Sequence, residues 1–398
     1  MIAFSAFQLL FAFLGKNRAV LGLPFTMWTM VVAALIYSYE MLYKKKLGKV
    51  MRQNLWLTAF VVQGLVWCAL SYAGMANWFD LRRGFPVDLT FLPRQAFYLG
   101  ILPLASVLPL SGSTQKCLSF LRRYGTVCSV GYIVCILLIR WDIRLNISDI
   151  LVVGFFLLMG WSGRIWDWGA AVLALLSPLP GDGASTVVVL KILLFGMMVF
   201  KDRKWVVWLA SCTLPLILVL SFVLPQLPGV WKRIPDVNTT WRLEYWQDEA
   251  TAIADTRGVG VGFGTTYASK EFSEPRSIRT WDEKKHLWLS TTFSSNDEYT
   301  KEQRPFVTTS HNSFVAVTFR QGLLGLGLLL GALTIIWKMV VRETGPDRKA
   351  KMFAFCGAMF TMCFNVVFES IMYLGLIVLL LSFCNDPSNI TATDQHDM

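Results

Sequence analysis

The stretch WVVWLASCTLPLILVLSFVL, residues 205–224, runs for twenty residues without a charge. As a helix rising about 1.5 Å per residue it reaches about 30 Å, the thickness of the hydrocarbon core of a bilayer. AVLGLPFTMWTMVVAALIYSYEMLY (19–43) and LWLTAFVVQGLVWCALSYAGM (55–75) are similarly long and apolar. Composition extends the point to the whole chain. Of 398 residues, 55% are hydrophobic and only 16% charged, whereas a soluble globular chain carries about 25% charged residues. The spacing of apolar and polar sequence predicts an all-α polytopic membrane protein.

Apolar segments fall at 2–15, 19–43, 54–76, 94–110, 124–139, 149–163, 165–178, 186–200, 205–224, 312–337, 352–368 and 370–384. About 12 transmembrane or re-entrant helices are expected. Pro and Gly interrupt the chain around 100–112 and in SPLPGDG (177–183). Broken membrane segments survive where protein or a cavity satisfies the freed backbone. The basic clusters KKKLGKVMR (44–52), KDRK (201–204) and Lys338 to Lys351 are expected to face the cytoplasm. The segment 205–224 then crosses outward and 312–337 returns. Between them lies one large extracytoplasmic loop containing short helices, with WRLEYWQDEATAIAD (241–255) reading as an amphipathic helix bearing Trp241, Tyr245 and Asp248 on one side. The expected organisation is N-terminal membrane helices over 1–224, a large extracytoplasmic loop over 225–310, C-terminal membrane helices over 311–385 and a cytoplasmic tail over 386–398.

Lys and Arg number 37 against 26 Asp and Glu. The cations are scattered among apolar runs rather than gathered on a soluble face, which excludes nucleic acid as a partner. Eight cysteines lie in or beside apolar segments without CxxC or Cys/His spacing, so neither a disulfide framework nor a metal site is supported. The run 2–15 lacks a basic leader and reads as a first membrane segment rather than a cleavable signal peptide. No GxxxxGK[ST] sequence occurs, so energy for any reaction must arrive with the substrate.

Three places can hold chemistry. In TTSHNSFVAVTFRQGLLGLGLLLGAL (308–333), hydroxyls of Thr308, Thr309 and Ser310 are candidate helix caps, with His311 in the first turn. The helix dipole and a low-dielectric surround disfavour imidazolium there, leaving a neutral imidazole suited to general-base work. The same histidine also reads as an interfacial side chain that only snorkels. The second place is the loop, where Arg242 opens the amphipathic helix and Arg257 precedes GVGVGFG (258–264). Guanidinium forks suit phosphate, though lipid headgroups attract them too. The alternating glycines do not fit GxGxxG; they read either as backbone lying close to a ligand or as a plain turn. The third is charge within apolar sequence: Arg164, Lys191, Arg320 and Glu369. Arg320 lies nine residues beyond His311, about 13 Å deeper, and is expected to pair with an acid, Glu369 being a candidate. Lys191 is expected to snorkel.

Taken together, the late outer loop with R-x-x-x-W (Arg242 to Trp246), GVGVGFG, and HN followed by GLLGL resembles the bacterial O-antigen ligase and O-antigen polymerase superfamily. The similarity spans about 149–384 in order and spacing. It implies a GT-C-like fold and an inverting, metal-independent glycosyltransferase of the inner membrane, active at the periplasmic face without a cofactor. The donor implied is a glycan on undecaprenyl pyrophosphate; the acceptor is another glycan or lipid A-core, and other polysaccharide-assembly membrane proteins are expected partners. By this resemblance His311 is the catalytic base and Arg242 the loop arginine on the pyrophosphate. Arg164, Arg257, Trp246, Gly260, Gly262 and Asn312 are the candidate substrate-binding residues. Arg164, in WSGR, matches the family's helix arginine by letters, but a count of crossings makes it extracytoplasmic only if 165–178 is a re-entrant half-helix. Relatives commonly carry an acid where Arg320 stands, so the local pairing must differ. A flippase or transporter for lipid-linked oligosaccharide is the alternative; it predicts internal repeats, and the chain has no such symmetry.

Overall fold

The computed structural model describes residues 19–20, 23–39, 54–74, 85, 87–110, 123, 130, 154–176, 184–200, 203–227, 237–267, 269, 276–282, 287–293, 311–343, 345, 347–364 and 367–385. Helices dominate. They are α1 (Phe25–Ser38), α2 (Leu55–Tyr72), α3 (Leu92–Ile101), α4 (Leu104–Leu110), α5 (Ile165–Leu176), α6 (Ala184–Val199), α7 (Arg203–Leu218), α8 (Val237–Asp255), α9 (Ser313–Arg342), α10 (Arg348–Phe364) and α11 (Ile371–Cys384). Four described stretches are long and apolar enough to cross a membrane: Leu55–Tyr72, Leu89–Pro109, Lys204–Gln226 and Ser313–Arg342. Shorter apolar helices cover Ile165–Leu176, Val188–Val199 and Tyr373–Cys384. The segments expected at 2–15 and 124–139, the SPLPGDG break, the first basic cluster and the C-terminal tail lie outside the described residues, apart from isolated positions.

Two departures from an all-α reading occur among the described residues: Ala19–Val20 pairs with Leu23–Pro24, and a longer pair falls in the loop. Strands β1 (Arg276–Asp282) and β2 (Leu287–Phe293) pair antiparallel, Arg276 opposite Phe293 and Asp282 opposite Leu287. RSIRTWD and LWLSTTF are short, rich in Thr, Trp and β-branched residues, and separated by EKKH. That is strand composition, which the hydropathy-led reading passed over.

The chain forms two compact units. The first comprises 1–58, 100–214 and 331–398; the second comprises 59–99 and 215–330. In the first unit α10 packs on α6 and α11, α11 on α4, and α5 on α6. Small residues set these approaches. A Cβ on Gly196 would come 2.7 Å from the Phe353 ring, and one on Gly357 would come 2.4 Å from Phe155, as expected where membrane helices gain contact by bringing backbones close. Lys351 is buried and donates to Glu343 at 2.6 Å, a salt bridge with both partners 1% exposed. Lys191 donates at 2.9 Å to the Leu175 carbonyl at the end of α5, satisfying one of the carbonyls a helix C-terminus leaves open.

In the second unit α8 packs against 219–226, where α7 continues as a π turn and then a 3-10 turn. Pro225 sits at the start of the latter and helps end the ladder there. Phe85, Ala252, Ile253, Val261 and Phe319 form a buried cluster with Phe222 against it. Phe85 and Phe319 meet with ring centroids 4.8 Å apart.

Candidate active site

His311 does not occupy the first turn of α9. The Asn312 carbonyl accepts the first intrahelical bond, from Ala316 N–H at 2.9 Å. The Asn312 Oδ1 accepts from Phe314 N–H at 3.0 Å and Val315 N–H at 3.2 Å. Asn312 is therefore the N-cap, filling the role assigned from sequence to Thr308–Ser310, which lie outside the described residues. Its Nδ2 donates to Ser221 Oγ at 2.8 Å, and the side chain is 1% exposed. An amide caps a helix with its oxygen and still has an N–H to give, which a hydroxyl cap does less well. His311 thus stands one residue before the cap, half-buried, with φ at +52°.

That backbone conformation is uncommon for a residue with a Cβ. Among the described residues only two non-glycines adopt it, His311 and Arg257. Arg257 ends α8. Its N–H donates to Ala254 O at 2.9 Å and Gly258 N–H donates to Ile253 O at 2.8 Å, the paired bonds of a Schellman cap with arginine at the left-handed position. The arginine side chain is exposed.

Along α8, Leu243, Tyr245, Trp246, Glu249, Ala252 and Ile253 are buried, a stripe of helical period, with Arg242 half-buried one turn before Tyr245 and Trp246. The helix begins four residues before the amphipathic stretch expected from sequence. The indole of Trp246 lies inside this stripe, 3% exposed. Burial foremost, then the carboxylates of Glu249 and Asp248, push the Tyr245 phenol well above its ordinary range, with Arg320 opposing. Asp248 holds the chain beyond the glycines, accepting from Ser269 N–H at 3.0 Å and Ser269 Oγ at 2.7 Å.

The glycine-rich loop is neither open backbone nor a plain turn. Every N–H from 258 to 264 has a protein acceptor. Gly258 and Val259 donate to Ile253 and Thr256 carbonyls, and Gly260 to Thr256 Oγ1 at 3.2 Å. Val261 donates to Phe319 O at 2.8 Å and Gly262 to Arg320 O at 3.0 Å. Phe263 donates to Ser71 Oγ at 2.9 Å, and Gly264 to Gln95 Oε1 at 2.8 Å. Gly260 and Gly262 therefore have no spare N–H for an anion.

The acceptors on α9 exist because that helix is broken. Gly322 has φ 73° and ψ −174°, a conformation in practice reserved for glycine. The break frees carbonyls at 319, 320 and 321; Val261, Gly262 and Gln63 Nε2 fill them, the last at 3.1 Å. Leu323 N–H in turn donates to Gly258 O at 2.7 Å. A Cβ on Gly322 would lie 2.3 Å from Val259 O, and one on Gly260 would lie 2.6 Å from Gly322 N. The two glycines admit each other. Glycines 258, 260, 262 and 264 all have positive φ, which accounts for their alternate spacing.

Arg320 is 3% exposed. Its guanidinium donates to Thr265 Oγ1 and lies 5.2 Å from the Tyr267 ring centroid and 4.7 Å from that of Phe319. A hydroxyl and two aromatic faces hold this cation where an acid was expected. Arg164 belongs to the other unit. Its turn is built by Asp167, whose Oδ2 accepts from Ser162 N–H at 2.8 Å, Ser162 Oγ at 2.7 Å and Arg164 N–H at 3.1 Å. Gly163 supplies the left-handed residue of that turn, and the Arg164 side chain is exposed.

The second unit therefore gathers His311, Asn312, Arg242, Trp246, Arg257, Gly260 and Gly262 on adjoining elements. Sequence reasoning missed Ser71, Gln95, Ser221 and Gln63, which hold those elements. The available signal was a polar side chain inside an apolar run.

No curated protein matches the chain. Residues 168–330 match the family model described as O-antigen ligase, less than half of the sequence. The matched stretch includes all seven of those residues and stops short of Arg164. That match supports the resemblance drawn from the sequence: over residues 168–330 the chain is similar to the O-antigen ligase family.

Proposed function

We propose that the protein transfers or polymerises a glycan carried on undecaprenyl pyrophosphate, as an inverting glycosyltransferase at the periplasmic face of the inner membrane. The family match supports lipid-linked glycan transfer; the observation that carries the site assignment is the left-handed, half-buried His311 immediately before the Asn312 cap. Strained conformations persist where surrounding structure over-determines them, and they concentrate at reactive sites.

In this reading neutral His311 accepts the proton of an acceptor sugar hydroxyl as its oxygen attacks the anomeric carbon of the donor. The bond from that carbon to the pyrophosphate breaks with inversion, and Arg242 takes up the charge developing on the leaving group. Arg257, fixed at the end of α8, is a second candidate for the pyrophosphate, and Arg164 a third. The buried Trp246 and the docked Gly260 and Gly262 serve better as scaffold than as ligand contacts. Nothing in this scheme requires a resident metal or cofactor.

The test is genetic and biochemical. His311→Ala and Arg242→Ala are expressed in the native host at wild-type level, and the surface glycan is displayed by size. Loss of long chains with a single repeat retained identifies a polymerase. Loss of all attached glycan, with lipid-linked polymer accumulating, identifies a ligase. A normal ladder from both variants overturns the assignment.

A further inference from the structure

The family match begins at residue 168, yet residues 59–99 fold into the same compact unit as the loop and the start of α9. The contacts are specific. Gln95, in the first turn of α3, is 1% exposed. Its Oε1 accepts from Gly264 N–H at 2.8 Å while its Nε2 donates to Thr265 O at 2.7 Å. One side-chain amide thus satisfies the N–H of one residue and the carbonyl of the next. Asp88 N–H donates to Gly264 O at 2.9 Å, and Val87 bridges Thr265 antiparallel. Phe91 meets Tyr267 edge-on at 5.2 Å, and Ser71 takes the Phe263 N–H. Beyond the grip, Thr265 Oγ1 receives Arg320 from α9.

Resting on the transferase reading above, we infer that residues 87–98, outside the matched domain, form a third wall of the active unit, and that Gln95 is a positioning residue for the transfer. It fixes the exit of the glycine loop, whose other end closes α8 and whose middle fills the break in α9. The elements carrying Arg242 and His311 are thereby held to one another through residues 256–265. A glutamine is needed because the site presents one donor and one acceptor. An ionised carboxylate would set two oxygens against Gly264 N–H and Thr265 O, and the second contact would repel. A protonated carboxyl restores both bonds, since it carries one acceptor and one donor in nearly the same shape.

That equivalence supplies the experiment. Gln95→Glu and Gln95→Met are made in the full chain, and transfer to an acceptor is followed in detergent between about pH 5.5 and 8, each rate taken relative to wild type at the same pH. Backbone amide exchange across 258–265 is measured in parallel. Protonation of the new carboxyl supplies the donor that the Thr265 carbonyl accepts in wild type. Among the described residues, the charged groups on the surrounding elements include Arg94 and Arg320, which flank Tyr267, Asp88, whose carboxylate accepts from Thr90, and Asp248 and Glu249 on α8. The expected result is a kcat for Gln95→Glu roughly 10- to 100-fold low at the alkaline end, the scale of a small misplacement of reacting groups. It recovers toward wild type as pH falls, while KM for the donor stays within about twofold. Gln95→Met stays low at every pH, and both variants exchange faster at 263–265 when not hydrogen-bonded. Wild-type rates and exchange in Gln95→Glu, or losses identical in the two variants at every pH, overturn the inference. If wild type itself transfers nothing, the transferase reading fails instead, and the exchange arm alone decides whether Gln95 holds the loop.

Discussion

Replacing Gly322 with alanine tests whether the loop and the broken helix are one object. The new Cβ would lie 2.3 Å from Val259 O and 2.4 Å from Gly258 O. Two backbone oxygens on one loop cannot both yield without the loop leaving α9. Departure breaks three backbone bonds, from Val261, Gly262 and Leu323. At about 0.5–1.5 kcal/mol net for each bond, the cost is about 2–4 kcal/mol. At about 1.4 kcal/mol per decade, the opened state rises roughly 30- to 1,000-fold. Hydrogen exchange of purified protein reads this directly: amides 259–262 lose protection by that factor, and those of α10 do not. The control is Gly327→Ala on the same helix, where a Cβ meets nothing within 4 Å. There alanine only removes glycine's conformational freedom and stabilises by about 0.5–1 kcal/mol. If the two variants exchange and melt alike, the docking argument is wrong.

Arg257→Gly relieves a left-handed arginine and raises stability by about 1 kcal/mol in thermal unfolding, while donor KM rises if the guanidinium holds pyrophosphate; an unchanged KM removes Arg257 from the site. Asn312→Ala loses the cap and the bond to Ser221, costing about 1–2 kcal/mol, whereas Asn312→Asp keeps the two cap bonds and costs less; equal melting of the two variants would contradict the cap. Lys351→Met leaves Glu343 buried without its cation and costs about 3–5 kcal/mol, read as a drop in detergent melting temperature; a drop confined to a degree or two would show that the pair is solvated.

Much of the helical layout was legible because a run such as 205–224 has one cheap conformation in lipid. The loop helix carrying Arg242 was legible from its period. What stayed hidden was where the backbone hydrogen bonds go. Alternating glycines in GVGVGFG signal positive φ, but their acceptors on Phe319 and Arg320 lie some sixty residues onward. Nothing local distinguishes a ligand-facing loop from a docked one. Likewise, QGLLG reads as a packing seam, and only the oxygens of Gly258 and Val259 reveal that Gly322 marks a rupture. The capping of α9 was misplaced because three hydroxyl residues and one asparagine all satisfy the cap preference. The tertiary bond to Ser221 singles out the asparagine. Arg320 was sought an acid because hydropathy counts charge, whereas the fold supplied Thr265 and aromatic faces.

The rupture at Gly322 has a consequence for biogenesis. Residues 258–262 emerge from the ribosome well before the carbonyls that will receive them, so the glycine-rich segment must wait, its amides wetted, until the later helix is in place. Maturation of this half of the molecule is then timed by the insertion of residues 313–342. A nascent chain arrested before that point should remain open to protease at the glycines, however well its earlier helices are seated.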